Sequence, residues 1–221
     1  MLWLIAAFVN LGLAVLLFRL FGKLGLYAVV VMGIIVCNIQ VTKLVGLFGF
    51  TATLGNILYA SIFFATDVLG EIWGPREARR AVWLGLVTFV AATVAMQLAL
   101  LFKPAPDDAV HGAMQTLFSL MPRIALASLV AYVVSQLHDV WAFHMWKRKT
   151  RGRLLWLRNN ASTMVSQLID TLIFCTLAFA GAVSGPVFWQ IAGTTYVLKW
   201  IVAALDTPFI YLAVRMRPAE G

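Results

Sequence analysis

The sequence predicts an all-α polytopic membrane bundle of about six or seven transmembrane helices, N-terminus out and C-terminus in, and three observations carry that prediction. Of 221 residues, 62% are hydrophobic and only 12% are charged, whereas soluble domains run near half apolar and a quarter charged. The apolar residues come in runs of about 20, the length a helix needs to cross a hydrocarbon core of ~30 Å. The basic residues fall between those runs, mostly in alternate loops, which is how such chains fix their orientation. The expectation is one membrane domain, 1–221, with the lipid bilayer as its main partner.

In order, the runs are 2–20, 24–43, 55–73, 81–102, 123–146, 161–183 and 187–214, seven spans. The first carries Arg19 and Lys23 behind it instead of a basic stretch before it, so it reads as an uncleaved span and not a secretory signal. The last is longer than one crossing requires, and Pro208 is placed to kink it or to let its end lie at the interface. With the N-terminus outside, the inner loops hold Arg19 and Lys23; Arg76, Arg79 and Arg80; the basic cytoplasmic loop 147–160 with Lys147, Arg148, Lys149, Arg151, Arg153 and Arg158; and Arg215 and Arg217. The outer side keeps Lys43, Lys103 and Arg123, and Lys199 lies within the last span. Between the fourth and fifth spans, Asp107 and Asp108 can cap a helix whose Val110, Met114, Leu117, Phe118 and Met121 recur at helical spacing. Residues 104–121 are therefore expected to form a short amphipathic helix on the outer surface.

The net charge of +8 belongs to these loops and not to a nucleic-acid-binding face, so no nucleic-acid partner is expected. Cys37 and Cys175 stand singly in apolar runs and read as small buried hydrophobes. Ala91, Ala95 and Ala99, and the pairs Gly70/Gly74 and Gly181/Gly185, have the four-residue spacing of tight helix packing. Whether two copies of the chain associate as a homodimer stays open.

Function is sought among the polar groups inside the spans, which are costly there and normally face a cavity or each other. They are Asn38, Gln40 and Lys43 in the second span; Asp67 and Glu71 in the third; Gln136, His138 and Asp139 in the fifth; Gln167 and Asp170 in the sixth; Lys199 and Asp206 in the seventh. Asp67 and Glu71, four apart, share a helix face; Ser135 and Gln136 share one with Asp139, and Ser162, Ser166, Gln167 and Asp170 line another. The stretches 135–140 and 166–171 agree at Ser, Gln, Leu and Asp on helices expected to be antiparallel, a pattern akin to the inverted repeats around transporter sites. Serines and amides of this kind also serve as interhelical glue. Two embedded lysines are too few to neutralise five carboxylates, which favours a functional role for the latter.

Enzymatic chemistry finds no foothold. There is no GxxxxGK[ST] phosphate loop and no HExxH pair, His138 and His144 lie on different helix faces, and the GxGD context of intramembrane aspartyl proteases is missing. Neither a cofactor nor a metal is expected.

The run Thr66-Asp67-Val68-Leu69-Gly70-Glu71-Ile72-Trp73-Gly74 with Ala78-Arg79-Arg80-Ala81 resembles the signature of the queuosine precursor transporter family, also known as vitamin uptake transporters. So do Arg158-Asn159-Asn160-Ala161-Ser162-Thr163 leading into 166–171, and Asp206-Thr207-Pro208. The resemblance spans roughly 38–217. It implies a bacterial inner-membrane importer of a small molecule, 7-cyano-7-deazaguanine or 7-aminomethyl-7-deazaguanine, salvaged for tRNA modification. A deazaguanine offers adjacent N1–H and amino donors to a carboxylate, an O6 acceptor to an amide or lysine, and a flat face to an aromatic ring. The expected substrate-binding set is Asn38, Lys43, Asp67, Glu71, Gln136, Asp139, Gln167, Asp170, Lys199 and Asp206, with Asp67 and Asp170 facing one cavity near Gln167 and Asn38. A binding subunit energised by a separate ATPase is the alternative; such subunits typically carry an AxxxA motif in their first helix, absent here. Uptake against a gradient needs an ion, for which protons are the simplest candidate; downhill entry with metabolic trapping fits equally. Asp170→Asn is expected to impair transport and leave folding intact.

Overall fold

In a computed structural model, residues 2–216 are described except 48, 49, 120, 180, 182 and 183; Arg217 lies outside the described residues. The elements are α1 Leu2–Phe21, α2 Lys23–Gln40, β1 Leu44–Leu47, β2 Phe50–Thr53, α3 Asn56–Ile72, α4 Pro75–Leu101, α5 His111–Ser119, α6 Met121–Lys149, α7 Leu155–Phe179 and α8 Gly185–Arg215. The bundle is all-α apart from the small hairpin. Among the described residues, α1, α2, α4, α6, α7 and α8 are long and apolar enough to cross a membrane. The seventh expected span is α3, whose 17 residues rise about 25 Å, at the short end of the spanning range.

α3 is the axis of the molecule. Every residue of it except Glu71 is buried, and it packs against α1, α2, α4, α6 and α8. Leu58, Ile62, Phe63, Phe64, Val68 and Leu69 meet Leu11, Val15 and Phe18 of α1, Val29, Val30 and Ile34 of α2, and Ala81, Val82 and Phe89 of α4 in one continuous core. The outer helices turn large apolar side chains away from this core, as with Phe8, Leu13 and Leu16 of α1 and Trp83, Val87, Val94 and Leu98 of α4; a lipid-facing surface has this composition. Ala91, Ala95 and Ala99 are also exposed, so this stripe does not pack helices within one chain. Gly70 does make a close approach, since a Cβ there would stand 2.9 Å from His144 Nε2, whereas Gly74 serves the turn into α4 with φ at +91°.

Several boundaries differ from expectation. β1 and β2 pair antiparallel, Leu44 opposite Thr53 and Leu47 opposite Phe50, in a stretch that falls between two apolar runs; four-residue strands are too short to give a periodic signal. α7 begins at Leu155, inside the expected basic loop, which narrows that loop to 150–154. Arg151 and Leu154 take positive φ there beside Gly152. α8 runs through Pro208 as one helix. Within the 104–121 segment, His111–Ser119 form α5, and Asp108 caps its start: its Oδ1 accepts from the Val110 and His111 amides at 2.8 and 3.0 Å, which holds the Asp108 carboxyl below its ordinary range. Gln97 of α4 donates to the Phe118 carbonyl at 2.8 Å and ties α5 to the bundle.

The entry to α3 is set by Gly55, where a Cβ would stand 2.5 Å from the Cys37 carbonyl oxygen and 3.1 Å from the Val41 nitrogen. Gly55→Ala should therefore push α2 from α3 and cost about 1–3 kcal/mol, as overpacking does, while Gly46→Ala, with open space around its Cβ, should be close to neutral. Thermal unfolding of the two purified variants in detergent checks this, and equal melting temperatures would contradict it.

Candidate functional site

The polar residues of α3 project into α6, α7 and α8 as three successive layers. As α3 proceeds from Tyr59 to Glu71, its partners advance along α6 from Ser135 to Lys147 and along α8 from Lys199 to Asp206, and retreat along α7 from Asp170 to Arg158. α6 and α8 thus run parallel to α3, and α7 runs antiparallel.

The first layer centres on Asp170. Its Oδ1 accepts from the Tyr59 hydroxyl at 2.6 Å and from Ser135 Oγ at 3.1 Å, and its Oδ2 is paired with the Lys199 ammonium. Lys199 Nζ also stands 4.7 Å from the centroid of the Tyr59 ring, a cation–π contact. Both ends of the pair are buried, so each charge depends on the other for its stability in a dry interior.

The second layer lies eight residues further along α3, about 12 Å of helix rise. Asp67 and Asp139 of α6 lie against each other here with Asp206 of α8 nearby, all buried, and among the described residues none of the three forms a salt bridge. Asn159 Nδ2 donates to Asp206 Oδ1 at 2.7 Å, and Thr66 Oγ1 lies 3.2 Å from Gln136 Oε1. Asp67 Oδ2, both oxygens of Asp139, Asp206 Oδ2, Asn159 Oδ1, Thr163 Oγ1, Gln167 Oε1 and Gln136 Nε2 are buried without a hydrogen-bond partner. All of these atoms but the last are oxygens, and apart from the Thr163 hydroxyl, which can also donate, they only accept, so the layer holds more unpaired acceptors than donors. A ligand that brings N–H groups, or a cation, matches that imbalance.

The third layer closes the column at the basic loop. Glu71 pairs with Lys147 Nζ at 3.0 Å and with Arg158 Nη2 at 2.6 Å. Arg158 is only 1% exposed; its Nη1 donates to the Gly152 and Arg153 carbonyls at 2.9 and 3.0 Å, and its guanidinium lies 5.5 Å from the Phe143 ring centroid. Arg158, which by sequence is one more charge of the cytoplasmic loop, is thus the residue that holds that loop down.

Of the ten expected site residues, Asp67, Asp139, Gln136, Gln167 and Asp206 lie in or beside the second layer, Asp170 and Lys199 form the first, and Glu71 belongs to the third. Asp67 and Asp170 therefore occupy successive layers. Asn38 is buried but donates to its own helix at Ile34 O, 2.8 Å away. Lys43 is exposed at the start of the hairpin and bonds to none of the layered groups among the described residues. The structure adds Tyr59, Arg158, Asn159 and Thr163. Asn159 and Thr163 are visible in the sequence as polar residues four apart, whereas Tyr59 gives no signal in an apolar run. The repeated motif of 135–140 and 166–171 folds into reciprocal contacts: Ser135 donates to Asp170, and Ser166 stands beside Asp139 with its hydroxyl 2.9 Å from His138 Nδ1.

A bundle of lipid-length helices around a buried charged column defines a multi-pass membrane protein, and comparison with known proteins supplies the class, a transporter. The family described as "Putative vitamin uptake transporter" matches residues 53–213. The chain is 45% identical to a probable queuosine precursor transporter of Bacillus subtilis over 219 residues, 99% of this chain and 96% of the relative. It is 32% identical to the queuosine precursor transporter of Escherichia coli over 64% and 62% of the two chains, and 33% identical to a probable queuosine precursor transporter of Haemophilus influenzae over 60% and 54%. No solved structure matches. The chain belongs to the queuosine precursor transporter family, a family of transporters and not of enzymes.

The buried pairing of Asp170 replaces the expectation that its amide variant would fold normally. Asp170→Asn strands the Lys199 charge and should cost about 3–5 kcal/mol, whereas Asp170→Asn with Lys199→Met removes both charges and should recover much of that loss. Melting temperatures of the purified single and double variants test the pairing; a double variant less stable than Asp170→Asn would refute it.

Proposed function

We propose that this chain imports 7-cyano-7-deazaguanine and 7-aminomethyl-7-deazaguanine across a bacterial inner membrane, N-terminus out and C-terminus in. The observation that carries the reading is the acceptor-rich layer of Asp67, Asp139 and Asp206 inside the bundle. A deazaguanine presents N1–H and amino donors on one edge, which suit a carboxylate with unpaired oxygens, and the cationic side chain of the aminomethyl form suits the same layer. The unpartnered Gln136 Nε2 is the matching donor for O6. Specificity then arises because a ligand lacking these donors leaves the buried oxygens unpaired.

Reconstituted alone into liposomes, the protein should admit labelled 7-cyano-7-deazaguanine without any ATPase. Entry that needs an added ATPase module would favour the binding-subunit reading instead. For topology, Thr150→Cys lies in the loop between α6 and α7 and should resist an impermeant thiol reagent on intact cells but react after permeabilisation. Efficient labelling from outside would reverse the orientation.

A further inference from the structure

Within the acceptor-rich layer, the Asp67 and Asp139 carboxyl groups face each other across α3 and α6. We propose that these two side chains hold one proton between them, and that loading and releasing this proton drives uptake. The second statement rests on the importer reading above; the first does not.

Two ionised carboxylates are acceptors only, so their contact leaves both unsatisfied, and Asp67 Oδ2 and both Asp139 oxygens are without partners. A proton on either group turns it into an O–H donor and closes the contact, as paired carboxyls in low-dielectric sites do. Loading forms one O–H bond and takes the pair from two negative charges to one; release breaks that bond. The hydroxyls of Ser162, Ser166 and Thr163 also stand beside Asp139, with Ser162 Oγ 3.3 Å from Asn159 O and Ser166 Oγ 2.8 Å from Ser162 O; they can steady one ionised carboxylate but put no proton into the contact between the two.

The remaining charges facing the pair are accounted for. Asp206 of α8 approaches from one side, held by Asn159, and Glu71 of α3 is neutralised by Lys147 and Arg158. On α6, His138 is engaged with Ser166 and His144 packs at Gly70. α7 brings the neutral Asn159, Ser162, Thr163 and Ser166. The buried side chains that α1, α2 and α4 contribute around α3 are apolar save the Cys37 thiol, which lies by Lys199 and Asp170, and the neutral Asn38, which donates to Ile34 O. Lys199 is committed to Asp170.

Infrared difference spectra of the purified protein across a pH titration test the pair without any substrate. The expected result is a carboxylic-acid carbonyl band that disappears as pH rises, is lost in Asp67→Asn and Asp139→Asn, and is kept in Glu77→Gln, whose native carboxylate pairs with Lys23 and Arg80 outside the layer. Absence of such a band in the wild type, or its survival in both amide variants, would overturn the shared proton. For coupling, liposomes with the membrane potential clamped at zero and the outside one pH unit more acid should concentrate 7-cyano-7-deazaguanine about tenfold per proton carried. Equilibration at a ratio of one by the wild type would overturn the coupling. If the probe does not enter at all, the importer reading fails, and the infrared band alone decides whether the pair holds a proton.

Discussion

A helix that carries Asp67 and Glu71 cannot be turned toward acyl chains, because an ionised carboxylate in hydrocarbon has neither water nor a donor to meet it. The enclosure of α3 by five other helices is the constraint on which the rest of the bundle depends. Its apolar side is packed by leucine, isoleucine and phenylalanine against α1, α2 and α4. Its polar side then has to be satisfied by α6, α7 and α8, and those three helices carry the embedded amides, hydroxyls and charges.

The three layers solve the burial problem differently. The first matches one anion to one cation and completes the carboxylate with two hydroxyl donors. The third gives Glu71 two cations and uses one of them, Arg158, to hold the backbone of the α6–α7 turn. Only the second gathers like charges without a basic side chain. A fold gains no stability from such an arrangement, which is why the proposed binding site is placed in this layer.

The reciprocal contacts of Ser135 with Asp170 and Ser166 with Asp139 show how two copies of a short motif on antiparallel helices place one carboxylate in each of two layers. The two then diverge through their neighbours. Lys199 reaches Asp170 and neutralises it, while Asp139 meets Asp67 instead. Nearly the same local sequence thus yields a closed ion pair on one side and an acceptor-rich cluster on the other.

By itself the sequence determined the membrane environment, the identity of every long helix and the set of polar residues held inside, because apolar run length and the cost of embedded charge act locally along the chain. The family, too, was legible in the motifs around Asp67, Asn159 and Asp170. Which charges neutralise which was decided only by the tertiary structure. Asp170 and Asp67 look equivalent as acidic residues in apolar runs, and Arg158 looks like a loop charge; one is paired, one is left with unpaired oxygens, and one is buried because Lys199, Asp139 and Glu71 come to them from other helices. Such pairing depends on the rotation and register of helices about their neighbours, a property of packing between segments that no single segment encodes.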